Sequence, residues 1–280
     1  MKNDFYLFVD SSILCCYAVS KWIEKFSSTK QFRGVLVRED RPSDSVLKHR
    51  DNFHMRHAGQ KIFTEEMTEE LFQLYNGIDS EAERAMINLF GLPRYSVSSS
   101  PDTVFLGRNI NGESARKWMT ENYPDSRPFI FSHLGQIVDP WWPEITENRL
   151  LNVHSAVLPY ARGIYSIENI AAMKDAELFR KSAGITIHFI DQGVDTGPIV
   201  RTERIVDPFR FNSIWELKGY AYMTGYRLYS EIAEHIIFNQ ETIPVGTAGD
   251  PRLRGTNFRA SSMTEEQKRR AEEGYLAMKN

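Results

Sequence analysis

The sequence predicts an α/β protein: a Rossmann-like, doubly wound, mostly parallel sheet followed by a smaller C-terminal extension. Short apolar runs of strand length recur at residues 5–9 (FYLFV), 34–37 (GVLV), 128–131 (PFIF), 150–153 (LLNV) and 185–190 (ITIHFI). Stretches with helical spacing separate them, and strands alternating with helices argue a parallel sheet covered on both faces. The chain has 280 residues, 41% of them hydrophobic and 25% charged, enough for one large domain and an appendage.

Each element has its own warrant. Ser11 and Ser12 stand where a helix cap is expected, ahead of a helix over residues 13–26. Further helices are expected at 65–75, 80–90, 113–123 and 164–174. After Pro198 the texture changes. Residues 199–206 read as an edge strand, 213–238 as one long amphipathic helix, and 243–259 as a segment punctuated by Gly and Pro. Thr264, followed by Glu265 and Glu266, opens a terminal helix. The expected domains are therefore residues 1–205, catalytic in character, and 206–280, a helical and irregular extension.

Composition narrows the function. The net charge is −3, and the last 80 residues hold 12 basic side chains against 11 acidic ones. A polyanion partner such as nucleic acid is not expected from that balance. The adjacent Cys15 and Cys16 suit buried thiols in a reducing compartment. No metal-type spacing accompanies them. No secretory signal and no membrane-length apolar run is read, so the expected location is the cytoplasm. Trp141 and Trp142, between prolines, are expected in the core or in a subunit contact, and a homodimer is one expectation for the assembly.

Two strand ends are rich in reactive side chains. Leu150 and Leu151 lead into Asn152, Val153 and His154, and residues 185–190 lead into Asp191, Gly193, Asp195, Gly197 and Pro198. A doubly wound sheet binds ligands at the carboxyl ends of its strands. Residues two apart on a strand share a face, so Asn152 and His154 should point together with Val153 in the core. An imidazole moves protons near neutral pH, a carboxylate fixes its tautomer, and an Asn amide donates to a developing oxyanion without adding charge. Those three groups suit acyl transfer in which the substrate's own amine is the nucleophile. On residues alone a structural histidine and an ordinary Gly–Asp turn remain open alternatives.

The two stretches together, NVHSAVLPYARG and, about thirty residues on, GITIHFIDQGVDTGPIV, resemble the 10-formyltetrahydrofolate-dependent formyltransferase family. The shared pattern is Asn152, His154, Leu158, Pro159, Arg162, Gly163, Asp191, Gly193, Asp195, Gly197 and Pro198. The resemblance implies the formyltransferase fold, 10-formyltetrahydrofolate as co-substrate without a metal, and a catalytic trio of Asn152, His154 and Asp195. It implies folate contacts from Gln136, Ile137, Val138, Asp191, Gly193 and Val194. One departure touches the acceptor side: Ala156 stands where members usually carry Ser, and Ser155 lies one position earlier.

Among family acceptors, an amino sugar, nucleotide-linked or not, fits best. Purine-type members resemble one another in a Gly-rich phosphate loop after the first strand; here the chain reads Asp10-Ser11-Ser12-Ile13. Members acting on methionyl-tRNA carry a larger basic C-terminal domain, and the near-neutral extension here supplies little phosphate attraction. Candidate acceptor contacts are Arg108, Asn109, Asn111, Tyr160, Arg162 and Tyr165. The alternatives are an amino-acid, siderophore or peptide-precursor amine, and a non-catalytic binding protein that kept the fold.

Overall fold

Strands form where the apolar runs stand. The computed structural model describes residues 3–75, 81–238 and 244–279. The chain divides into two compact units, residues 1–150 with 230–242 and residues 151–229 with 243–280. The boundary expected at residue 205 falls inside the second unit. Residues 80 and 243, at the ends of two expected segments, lie outside the described residues.

In the first unit the order along the chain is β1 (Phe5–Asp10), α1 (Ile13–Phe26), β2 (Phe32–Arg38), α2 (Asp44–His57), α3 (Glu65–Tyr75), α4 (Glu81–Phe90), β3 (Thr103–Phe105), α5 (Glu113–Asn122), β4 (Phe129–His133) and α6 (Trp141–Ile145). Strand order is β3-β2-β1-β4, and every pair is parallel. Helix α1 starts where predicted because the Ser12 hydroxyl accepts the Cys15 N–H at 3.3 Å. Its Trp22 and Phe26 meet Phe5 edge-on, at 5.5 and 5.3 Å between ring centroids. Trp142 is fully buried, stacked on Trp141 at 4.5 Å, and donates its indole N–H to the Ile110 carbonyl.

Helix α2 has no counterpart among the expected elements. Its buried face carries Arg50 and His54 beside Phe53, so the apolar periodicity that marks a helix is missing. The polar groups are satisfied instead. Arg50 donates to both Glu39 oxygens at 2.8 Å, and His54 lies between the Pro93 carbonyl and the Tyr75 hydroxyl at 2.7 and 2.9 Å.

The second unit continues with β5 (Leu150–His154), β6 (Arg162–Gly163), α7 (Ser166–Met173), α8 (Ala176–Ser182), β7 (Gly184–Phe189), β8 (Ile199–Arg204), α9 (Ile214–Phe238), β9 (Asn257–Phe258) and α10 (Glu265–Lys279). Strands β5, β7 and β8 are consecutive neighbours paired antiparallel. The connection between β5 and β7 carries β6, α7 and α8, and β7 begins beside the end of β5, with His154 opposite Thr186. The α/β class read from the sequence is the one observed, with parallel pairing throughout the first unit.

Candidate active site

The residues of interest in the second unit are brought together by strand register. Asn152 pairs directly with His188, and His154 with Thr186, across β5 and β7. All four share one face of the sheet, because alternate residues point the same way and opposed residues point together. Val153, on the other face, is 3% exposed and lies over Gly225 of α9, where a Cβ would come within 2.5 Å of its methyl. The expected division of β5, with Asn152 and His154 together and Val153 in the core, is observed.

Placing both reactive stretches at carboxyl strand ends does not describe how they meet. In an antiparallel pair the carboxyl ends of β5 and β7 lie apart: Leu151 pairs with Phe189, and His154 with Thr186. The loop after β7 folds back over the face instead. The Phe189 N–H donates to the Pro198 carbonyl at 2.9 Å. Gly197 lies so close that a Cβ would come within 1.9 Å of the Phe189 oxygen. Asp191 closes the turn by accepting from the Gly193 N–H at 3.0 Å and the Thr196 hydroxyl at 2.7 Å.

That fold-back delivers Asp195 between two imidazoles. Its Oδ2 is 3.4 Å from His154 Nδ1 and its Oδ1 is 3.3 Å from His188 Nε2. The Gly163 N–H donates to Oδ2 at 2.7 Å, and Asn152 Nδ2 is 3.2 Å from His188 Nε2. Asp195 itself adopts a left-handed backbone, φ 51°. Such strain concentrates at functional sites. The side chains of His154, His188 and Asp195 are 7%, 2% and 10% exposed, so the cluster is almost dry.

The backbone sets the tautomers. His154 Nε2 is 2.8 Å from the Ala161 carbonyl, and His188 Nδ1 is 2.8 Å from the Phe189 carbonyl. A carbonyl only accepts, so those nitrogens carry hydrogen. The nitrogens facing Asp195 then carry hydrogen only in the imidazolium form. Two rings around one carboxylate therefore make a cluster able to take up a proton on either side. Burial works against the Asp195 carboxylate, but His154, His188 and the Gly163 N–H outweigh it and hold its pKa well below the usual range. Burial lowers the His154 pKa, with Asp195 opposing it, which favours the neutral ring near pH 7.

The C-terminal extension supports this cluster. Strand β9 pairs in parallel with β6, Arg162 opposite Asn257 and Gly163 opposite Phe258. Gly163 has φ 84°, and a Cβ there would stand 1.9 Å from the Phe258 oxygen. Arg162 donates to the carbonyls of Gly255 and Val194, at 3.3 and 3.5 Å, and so ties the extension to the Asp195 loop. Both groups reached by the guanidinium are backbone carbonyls. Tyr160 sits under the same segment, its carbonyl 1.7 Å from where a Gly255 Cβ would be. Tyr165 has φ 56° and lies beneath the Lys218 ammonium, 4.6 Å from the ring centroid.

The other candidate residues belong to the first unit, described separately. Gln136 donates to Asn109 Oδ1 at 3.0 Å and accepts the Ile110 N–H at 3.3 Å. The Asn111 amide donates to the Ile137 carbonyl at 2.9 Å. Ile137 is 70% exposed and is not a core residue, while Val138 is half-buried. Arg108 pairs with Asp40 at 3.0 Å on the surface. Among the described residues no cluster of metal-ligating side chains is present, and no helix is long and apolar enough to cross a membrane.

His188 was not singled out in the sequence. Its signal is the alternation of Thr186 and His188 in ITIHFI, which becomes informative only once β7 is known to run antiparallel beside β5.

Residues 118–207, which contain the whole cluster, match the family model described as formyl transferase. The chain is 29% identical over 154 residues to the trifunctional purine biosynthetic protein adenosine-3 of Chironomus tentans, covering 54% of this chain and 10% of that one. It is 28% identical over 102 residues to the methionyl-tRNA formyltransferase of Finegoldia magna, covering 36% of this chain and 31% of that one. The chain thus spans about a tenth and a third of those two curated relatives. Its fold matches a sugar N-formyltransferase from Shewanella sp. with a TM-score of 0.51 at 13% identity, over 98% of this chain and 88% of that one. The chain is similar to formyltransferases in the sequence of this segment and in fold. Sugar N-formyltransferases stand among its structural neighbours, and at that identity the likeness concerns fold.

Proposed function

We propose that this chain is an N-formyltransferase that moves the formyl group of 10-formyltetrahydrofolate to the primary amine of a small acceptor, most favourably an amino sugar. The observation that carries the reading is the convergence of Asn152, His154, His188 and Asp195 in a nearly dry cluster, inside the segment that matches the formyl transferase model. The acceptor nitrogen forms a bond to the formyl carbon, and the bond from that carbon to N10 of the folate breaks. The Asn152 amide donates to the formyl oxygen as it gains charge. His154, paired with Asp195, takes the proton released by the amine and returns one to the leaving nitrogen. His188 holds the Asn152 amide and shares the proton.

In the second unit the loop of Asp191, Gly193 and Val194 would contact the co-substrate, and the resemblance separately implies Gln136, Ile137 and Val138 of the first unit. Tyr160 and Tyr165 of the second unit are candidates for the acceptor, and Arg108, Asn109 and Asn111 are separate candidates in the first unit. Arg162 acts as the clamp described above.

The first unit argues against a ribonucleotide phosphate at α1. A helix N-terminus attracts anions through its free N–H groups. Here the Leu14 N–H donates to the Glu83 carboxylate at 3.1 Å, and Ser12 takes that of Cys15. Asp10 meanwhile accepts from Arg38 at 3.0 Å and from the Gly135 N–H at 2.7 Å. The protein's own carboxylates occupy the places a phosphate would use. An amine of an amino-acid or peptide precursor is the second reading, since it too needs no such loop. A cytoplasmic homodimer fits both.

The test is a panel of amines with 10-formyltetrahydrofolate, followed by release of tetrahydrofolate. Transfer to nucleotide-linked or free amino sugars, with little to glycinamide ribonucleotide, is expected. The absence of transfer to every amine would overturn the reading.

A further inference from the structure

The second unit also holds a cavity of about 210 Å³, set between the start of β7, the end of β8 and the first half of α9. It lies on the opposite face of the sheet from His154. Ile185, on its wall, alternates with Thr186, which shares the face of the cluster. A Cβ on Gly225 of α9 would meet both Val153 and Ile185, at 2.5 and 2.9 Å, so α9 covers that opposite face. The proposed chemistry makes no use of this cavity.

Its inner wall and its rim differ in character. Ile185, Ile205 and Ala221 line the interior and are buried, and the Thr224 hydroxyl beside them already donates to the Tyr220 carbonyl at 3.0 Å. The rim is cationic. Arg210 lies against the rings of Phe211 and Tyr220, at 4.9 and 4.8 Å from their centroids, which holds its guanidinium in place. Arg204 donates to the Arg180 carbonyl at 3.1 Å. Neither arginine has a carboxylate partner among the described residues. The acid on the lining, Glu203, is paired with Arg227 at 2.5 Å.

The geometry points to this cavity as a binding site for a small organic anion, its phosphate or carboxylate on Arg204 and Arg210 and its apolar body against Ile185, Ile205 and Ala221. A planar guanidinium matches either oxyanion with two parallel hydrogen bonds. An arginine already held by two rings loses less freedom in making them. The volume is below the about 300–1,000 Å³ of drug-sized pockets, so the body is one ring or a short chain rather than a folate or a nucleotide. A neutral ligand would leave both guanidiniums unanswered, and inorganic phosphate would leave the apolar wall in water. The site stands independently of the formyl-transfer reading.

The experiment is calorimetric titration with phenyl phosphate and with benzoate, beside phenol and inorganic phosphate. Saturable binding of at least one organic anion is expected, about tenfold or more tighter than that of phenol or inorganic phosphate, and the tighter of the two names the oxyanion. Arg210 is exposed, so Arg210→Met leaves the core untouched. That variant is expected to bind about tenfold or more weakly, the size of one charge-assisted hydrogen bond, and Arg204→Met likewise. His154→Asn is expected to bind as the unmodified chain does. No saturable binding of either anion overturns the inference, as does equal affinity in folded Arg210→Met. Loss of binding in folded His154→Asn also overturns it, because the anion would then sit at the cluster.

Discussion

His188 lies directly opposite Asn152 across the β5–β7 pair, its Nε2 3.2 Å from the Asn152 amide nitrogen and 3.3 Å from Asp195 Oδ1. When neutral, that imidazole accepts from the Asn152 amide, the proposed oxyanion donor; when protonated, it donates to Asp195 instead, so it bridges to one of the two at a time. Replacing His188 by Asn leaves His154 in place but removes that bridge. Turnover is expected to fall by about tenfold or more, short of the ~10²–10⁴-fold carried by a direct acid–base group. Steady-state kinetics of His188→Asn beside His154→Asn checks the order of the two effects.

Asp195→Asn keeps the shape of the loop and removes the charge that both imidazoles face. Turnover should fall by about 10²–10⁴-fold. Stability should report the same charge. The Asp195 pKa is depressed on folding from the ordinary carboxylate value of 3.8, so its contribution is present above that pH and is lost as the pH falls below it. Acid unfolding below about pH 4 should therefore be shallower in Asp195→Asn than in the unmodified chain, as read by circular dichroism.

Gly163→Ala tests the link from the C-terminal extension to the cluster. An added Cβ would stand 1.9 Å from the Phe258 oxygen, at a backbone φ of 84°. Forcing β9 off β6 is expected to cost about 1–3 kcal/mol, of the order of overpacking. It also moves the N–H that Asp195 accepts. Thermal unfolding gives the first effect and turnover of the folded fraction the second.

His54 makes the first unit pH-dependent in a way independent of the cluster. Burial drives its pKa down from 6.5 to about 4, with its Nδ1 facing the Pro93 carbonyl. Between those values the unfolded chain binds a proton that the folded one does not, so stability rises with pH through the window. The effect amounts to at most about 3 kcal/mol. Urea unfolding at several pH values should show His54→Gln losing most of that slope.

Much of this was legible in the sequence for physical reasons. FYLFV and GVLV report buried parallel strands because both faces are covered, and Ser12 reports the start of α1 because its side chain caps the helix. Asn152 and His154 report a shared face through their spacing alone. Three features were hidden. Helix α2 buries Arg50 and His54 where a periodic pattern would show apolar residues. Helix α8, seven residues long, is too short to show a period, and the antiparallel direction of β7 shows only in the strand register. The place of His188 follows from that direction, so it could not be assigned before the register was known.

The proposed function requires Asn152, His154 and Asp195 to transfer a formyl group to an amine. The most direct measurement is tetrahydrofolate release in a single turnover with 10-formyltetrahydrofolate and an amino-sugar acceptor, comparing the unmodified chain with folded His154→Asn. A formylated amine appearing together with tetrahydrofolate, slowed about a hundredfold or more in the variant, is the predicted result. Release at equal rates in both, or no formylated amine from the unmodified chain, would contradict it.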